Sequence, residues 1–182
     1  MYPVTHITIA AGSVWLGARL WRRLRGGSVV DAIDYRFAAL GGLVPDIIDK
    51  PLDRLGVPGL SGPETAAHTI GHTLLVSGLI IIAGLIIARR GDARLLVLGI
   101  GSLTHPLVDP TNTYPEILFW PAYGTDFPES RQAWRKYAQI PLDIALASTY
   151  ALLIWRSEEW RERFMRFART GKFPLDRRAD VY

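Results

Sequence analysis

Histidine and aspartate fall together in four short motifs of this chain, each at one end of an apolar segment. His6 stands in Thr5-His6. Asp46 and Asp49 stand in Val44-Pro45-Asp46-Ile47-Ile48-Asp49. His68 and His72 bracket Thr69-Ile70-Gly71, and His105 and Asp109 bracket Pro106-Leu107-Val108. Imidazole and carboxylate are ligands for divalent metals. Both His68/His72 and His105/Asp109 are spaced i,i+4, which puts each pair on one side of a helix. A histidine entering an apolar span is costly unless it has work to do. The pattern predicts a metal centre held by His6, Asp46, His72, His105 and Asp109, with Asp143 as a further candidate. Each motif also has a plainer reading. His105 and Asp109 could form a buried hydrogen bond, Asp46 and Asp49 could open a polar loop or cap a helix, and His6 could be a packed histidine. His68 reads as a ligand, a residue behind the ligands or an acid–base group. The glutamate of the His-Glu-x-x-His zinc motif is missing from His68–His72, so that protease signature is absent.

Composition narrows the chemistry. The chain has 182 residues, enough for one domain, and no cysteine. Disulfides, thiolate ligands and cysteine nucleophiles are therefore excluded. A nitrogen-and-oxygen site suits zinc foremost, with manganese or iron(II) as alternatives. The net charge is +4, but the arginines flank apolar runs and do not interleave with aromatics. That reads as membrane-flanking charge and not as a nucleic-acid surface. No cleavable leader is expected, because the basic cluster Arg22-Arg23-Leu24-Arg25 follows the first apolar run.

The elements that must position these residues read as helices. About five candidate membrane spans are expected, at 3–21, 29–48, 66–88, 93–109 and 142–155, with 66–88 the clearest and Arg89-Arg90 closing it. Alternation from an outer N-terminus puts Arg22, Arg23, Arg89, Arg90 and the basic stretch from Arg156 inside, so the positive-inside rule gives N-out, C-in. The candidate ligands then all fall at outer helix ends. The expected architecture is an all-α, multi-span transmembrane bundle over 1–155 with a metal site at its outer face. A basic amphipathic cytoplasmic tail would follow at 156–182, with Trp160, Phe164 and Phe167 in one stripe. The aromatic loop from Pro110 to Gln139 is expected to be either a structured lip or an interfacial anchor.

The order of motifs resembles the membrane-bound metal-dependent hydrolases of bacteria and archaea. His6 comes first, then Pro45-Asp46, then His68 with Gly71-His72-Thr73-Leu74-Leu75, then Ser102-Leu103-Thr104-His105 with Asp109. Ile117-Leu118-Phe119-Trp120-Pro121 resembles the apolar segment that follows in those proteins. The likeness covers residues 1 to about 121. That family is in turn similar to the zinc-dependent phospholipase C group, on an all-helical fold. No histidine follows His105, so one or two ions are expected and not three, with Asp109 as the bridge if there are two.

These observations together predict a membrane-bound hydrolase in which metal-activated water attacks a phosphoester or ester bond of a membrane lipid or other membrane-associated substrate. Asp49 or His68 would serve as the acid–base residue. The rivals are a transporter or metal-handling protein, and a non-catalytic membrane scaffold with a structural metal. An open coordination position separates a catalytic site from a structural one. Oligomeric state is open.

Overall fold

The computed structural model describes residues 3–25, 33–58, 68–109, 115–124, 127 and 133–172, and every regular element in them is helical. The elements are α1 (Pro3–Arg25), α2 (Tyr35–Gly41), α3 (Val44–Arg54), a 3-10 turn (Ile70–His72), α4 (Leu74–Ala88), α5 (Arg94–Val108), the short α6 (Pro115–Leu118), α7 (Ala133–Arg156) and α8 (Glu158–Thr170).

Helix α5 is the hub, packing against α4, α2 and α1. Val14, Tyr35, Ala38 and Val97 form the apolar centre where α1, α2 and α5 meet, and Trp15, Phe37 and Phe167 close over it. Local signals set the helix ends. Asp34 caps α2 by accepting from the Arg36 amide at 3.1 Å. Thr73 caps α4 by accepting from Val76 N–H at 3.2 Å. Pro45 sits in the first turn of α3, where its missing N–H costs nothing. Helix α5 runs through Pro106 and stops at Asp109, which is extended (φ −78°, ψ 113°). Pro110 follows Asp109 and disfavours a helical residue before it.

The multi-span bundle is corrected by this structure. The all-α class holds, but among the described residues no helix is long and apolar enough to cross a membrane. The clearest expected span, 66–88, yields a helix only from Leu74 to Ala88, because the chain turns through Ile70–His72 first. Fifteen residues rise about 22 Å, short of a hydrocarbon core of about 30 Å. The span 93–109 gives another helix of 15 residues. The span 29–48 breaks into α2 and the start of α3 around Gly42 and Leu43, and its first four residues lie outside the described ones. Helices α1 and α7 have 23 and 24 residues, but their polar and charged side chains dilute them. The N-out/C-in, multi-pass placement falls with the spans.

The basic tail helix α8 is docked onto α2. Tyr35 N–H donates to Gly171 O at 2.8 Å. Arg36, paired with Asp34, donates through Nη1 to Ala168 O at 3.0 Å and Arg169 O at 3.1 Å, where a cation suits the helix C-terminus. Phe167 packs on the apolar centre, while Phe164 stays exposed. Residues 173–182 lie outside the described residues, as do 110–114, 125–126 and 128–132 of the expected 110–139 loop; the described part of that loop holds α6 and the start of α7.

Candidate metal centre

Helix ends deliver the site. His6 comes from the first turns of α1, Asp46 from the first turn of α3, and His72 from the 3-10 turn before α4. His105 comes from the last turn of α5, and Asp109 follows it. Three overlapping donor sets form here: His6, His105 and Asp109; Asp46, His72 and His105; and His68, His72 and Asp109. Within each set the donor atoms lie within 4.8 Å of one another. The structure therefore brings together all four histidines with Asp46 and Asp109. Every one of the six is buried except His68, which is partly exposed.

Two hydrogen bonds orient the central imidazoles. His105 Nδ1 lies 2.6 Å from Gly42 O. A carbonyl only accepts, so this nitrogen carries the ring proton and Nε2 presents a lone pair. His72 Nδ1 lies 2.7 Å from Asp49 Oδ2, and the same logic leaves its Nε2 bare. The two Nε2 atoms then face each other at 3.1 Å. A proton between them would relieve the repulsion, but burial lowers both groups. His105 falls to about 4 by desolvation and by the neighbouring His72, and His72 is also lowered by desolvation despite Asp49. At neutral pH two lone pairs point at one spot. Two imidazole nitrogens this close would suit joint coordination of one zinc ion.

The remaining donors surround that spot. Asp46 Oδ1 is 3.9 Å from His72 Nε2, and its other oxygen accepts from Lys50 Nζ at 2.6 Å. Burial pushes the Asp46 carboxyl up, and Lys50 with the neighbouring His105 and His72 more than reverses it, so the group stays ionised. Asp109 Oδ2 lies 3.3 Å from His68 Nε2 and 3.9 Å from His105 Nε2. His6 stacks on His105 with ring centres 3.5 Å apart. It is 1 % exposed, and neither ring nitrogen has a hydrogen-bond partner among the described residues. Desolvation, then the neighbouring His105, brings its pKa to about 3. A neutral buried imidazole without partners is costly, and a cation at this spot would answer it. The donor set present fits a divalent ion.

Asp49 lies one step behind. Its Oδ2 accepts from Thr69 N–H at 2.6 Å and from His72, and its Oδ1 accepts from Gly71 N–H at 2.7 Å. Burial pushes this carboxyl up, and the His72 bond, the His72 charge and these amides more than reverse it. Gly71 makes the approach possible: a Cβ there would meet Pro45 O at 2.6 Å and Asp49 Oδ1 at 2.9 Å. Asp143 is not in the donor sets. Its Oδ1 accepts from Thr5 N–H at 3.2 Å and from the Thr5 hydroxyl, tying α7 to the start of α1 beside His6. Sequence reasoning missed the Gly42 carbonyl, the Gly71 contact and the Lys50 pairing. Only Lys50, four residues after Asp46, left a readable signal.

The fold and site together define a class: an all-α protein with a buried histidine–aspartate cluster of metal-binding type. The chain belongs to the YdjM inner membrane protein family, whose profile matches residues 1–168. No curated protein and no solved structure matches it. The match names that family and not the zinc-dependent phospholipase C group. The expected membrane-embedded hydrolase, with its site on the non-cytoplasmic face of a multi-pass bundle, is corrected. Among the described residues there are no spanning helices to define such a face.

Proposed function

We propose that this chain is a membrane-associated metal-handling protein, holding a divalent cation, zinc foremost, between His72 and His105. The single observation that carries this reading is the 3.1 Å approach of two bare Nε2 atoms, each fixed by a hydrogen bond on the far side of its ring. Such a bond behind a ligand histidine is the usual support of a metal-binding imidazole. Asp46, His6 and Asp109 would complete the shell, and Asp46 and Asp109 bring negative charge to it. The family description supports the membrane association.

Asp49 supports the site by orienting His72. Both of its oxygens are engaged, which leaves it poorly placed to take a proton from water. His68, beside Asp109, stands where it can join the shell or relay a proton. Each donor set supplies three ligands, and one donor drawn from a neighbouring set would fill a tetrahedral shell around a single ion. A filled shell favours holding an ion over activating water on it, because catalysis needs an open position.

One observation favours a second arrangement. The Nδ1 atoms of His72 and His105 are committed, so each ring serves one ion only. Asp109, a carboxylate, is shared by the His6–His105 and His68–His72 sets and can bridge. Were each of these two sets to hold an ion, the pair would supply the chemistry for activating water and for hydrolysis.

The test is elemental mass spectrometry of the full chain, purified in mild detergent without chelator, together with a phosphoester turnover assay on the same sample. One bound ion and no turnover is the expected result. Two ions with turnover would replace the handling role with catalysis. A chain that stays metal-free after incubation with zinc, manganese and iron(II) would remove the reading altogether.

A further inference from the structure

The α4–α5 pair is built the reverse way from a water-solvated helix pair. Its inner side is small and hydroxylic. Ser77 Oγ and Ser102 Oγ are 3.0 Å apart and both fully buried. A Cβ on Gly84 would meet Leu96 N at 2.4 Å, and one on Gly99 would meet Ile81 N at 2.9 Å. The two backbones therefore touch through glycine. The outer side of α4 is large and aliphatic: Leu75, Leu79, Ile82 and Ile86 follow one another at i, i+4, i+7 and i+11. They are 42–57 % exposed. No exposed residue of α4 carries a polar side chain. At the end of this stripe stand Arg89 and Arg90, both exposed, with Asp92 turned to Arg94.

Water disfavours such a face, and a contiguous apolar patch of this kind marks a docking surface. Its composition indicates the occupant. Protein–protein interfaces enrich tyrosine, tryptophan, methionine and arginine in their cores, and this stripe has none of them. Helix pairs in lipid use small residues and side-chain hydroxyls between them and turn aliphatics outward, which is the arrangement here. Arginine at the end of an apolar helix matches the phosphates of anionic headgroups.

We infer that the outer face of α4 is a lipid-contact surface. Leu75, Leu79, Ile82 and Ile86 lie against acyl chains, and Arg89 and Arg90 meet headgroup phosphates. At about 22 Å the helix seats in lipid without crossing it. The family description says inner membrane; the inference assigns the face and the lipid charge, and it does not depend on the metal reading.

The chain has no cysteine, so single labels can be placed without background. The full chain would be reconstituted into vesicles of phosphatidylcholine with phosphatidylglycerol. Spin labels would be attached to Leu79→Cys, Ile82→Cys and Ile86→Cys, with Arg54→Cys on α3 as the water-facing reference. Collision with lipid-dissolved oxygen should exceed collision with a water-soluble nickel chelate at the three α4 sites, and the ratio should reverse at Arg54. Labels on α4 that behave like the reference would overturn the inference. So would dipolar coupling between α4 labels of two chains, which would make the face a contact between copies. An Arg89→Glu, Arg90→Glu double variant should lose its preference for phosphatidylglycerol over pure phosphatidylcholine vesicles. An unchanged preference would remove the headgroup half of the assignment.

Discussion

The candidate ligand end of the molecule and the α4 face use burial in opposite ways. At the ligand end, burial is given to ionisable groups. His72, His105 and Asp49 are fully enclosed, and His6 and Asp109 nearly so. Along α4 the large aliphatics are left outside, and hydroxyls and glycines go in. Burying polar groups is costly unless they are bonded or bind something. At that end most are bonded, and His6, whose ring nitrogens have no hydrogen-bond partner among the described residues, stacks on His105 beside the bare Nε2 atoms. On α4 the polar groups that are buried satisfy each other, so nothing is left over to bind. The difference separates a site from a packing device, although both are buried polar clusters next to apolar helices.

The strongest way to break this comparison is to remove one of the converging lone pairs. His105→Ala should reduce bound metal to background, since His105 belongs to two of the three donor sets. It should also abolish the thermal stabilisation by added zinc, which for a single site in hundredfold excess over Kd amounts to about 2.7 kcal/mol. Ser102→Ala, three residues earlier on the same helix, should leave metal content untouched. Equal loss in both variants, read by elemental analysis, would show that the α5 backbone and not the ligand end had been damaged.

Acid probes the same contrast without mutation. His6 and His105 are held near 3 and 4 in the folded chain, below the ordinary value of 6.5. The unfolded chain therefore takes up protons first as pH falls. Stability of the metal-free protein should be fully present above about pH 6.5 and lost progressively as pH drops through 4 towards 3. The drop to about 4 for His105 corresponds to about 3 kcal/mol. Urea midpoints at several pH values in this window would show it. A flat profile would mean that the two imidazoles are not neutral and buried as described.

Much of the candidate site was legible in the sequence because residues able to bind a metal offer particular atoms, and spacing brings those atoms onto one side. His105 with Asp109, and His72 with its approach to an apolar helix, could be picked out on that basis. What stayed hidden works through the backbone. Gly42 acts by its carbonyl and Thr69 and Gly71 by their amides, and every residue type offers those. The helical class was legible from the apolar runs, whereas their length as spans was not. A hydropathy run counts 66–88 as continuous, yet Thr73 caps the helix from outside it and the turn at Ile70–His72 uses those residues to deliver a candidate ligand. The feature that makes His72 a candidate ligand thus also shortens the helix below spanning length.

Asp49 sharpens the comparison at intermediate size. Asp49→Asn keeps the shape, but its amide can no longer accept from both amides and His72 at once. His72 would lose its fixed tautomer, and loss of such an outer partner typically weakens metal binding about 10–100-fold. Titration with a competing chelator would measure it. Unchanged affinity would mean that His72 is oriented by packing alone.

The smallest expected effect lies on the packing side. Ser77→Ala combined with Ser102→Ala removes both hydroxyls from the α4–α5 contact, so neither is left unsatisfied. A hydrogen bond is worth about 0.5–1.5 kcal/mol net, and removing both partners approaches neutrality. The single variant Ser77→Ala leaves the Ser102 hydroxyl buried without its partner and should cost more than the double. Comparing the thermal midpoints of both singles with the double isolates the coupling. Because these serines do no more than satisfy each other, none of the three variants should change metal affinity. A shift in affinity would mean that the α4–α5 contact sets the distance between His72 and His105, and the packing device would then be part of the site.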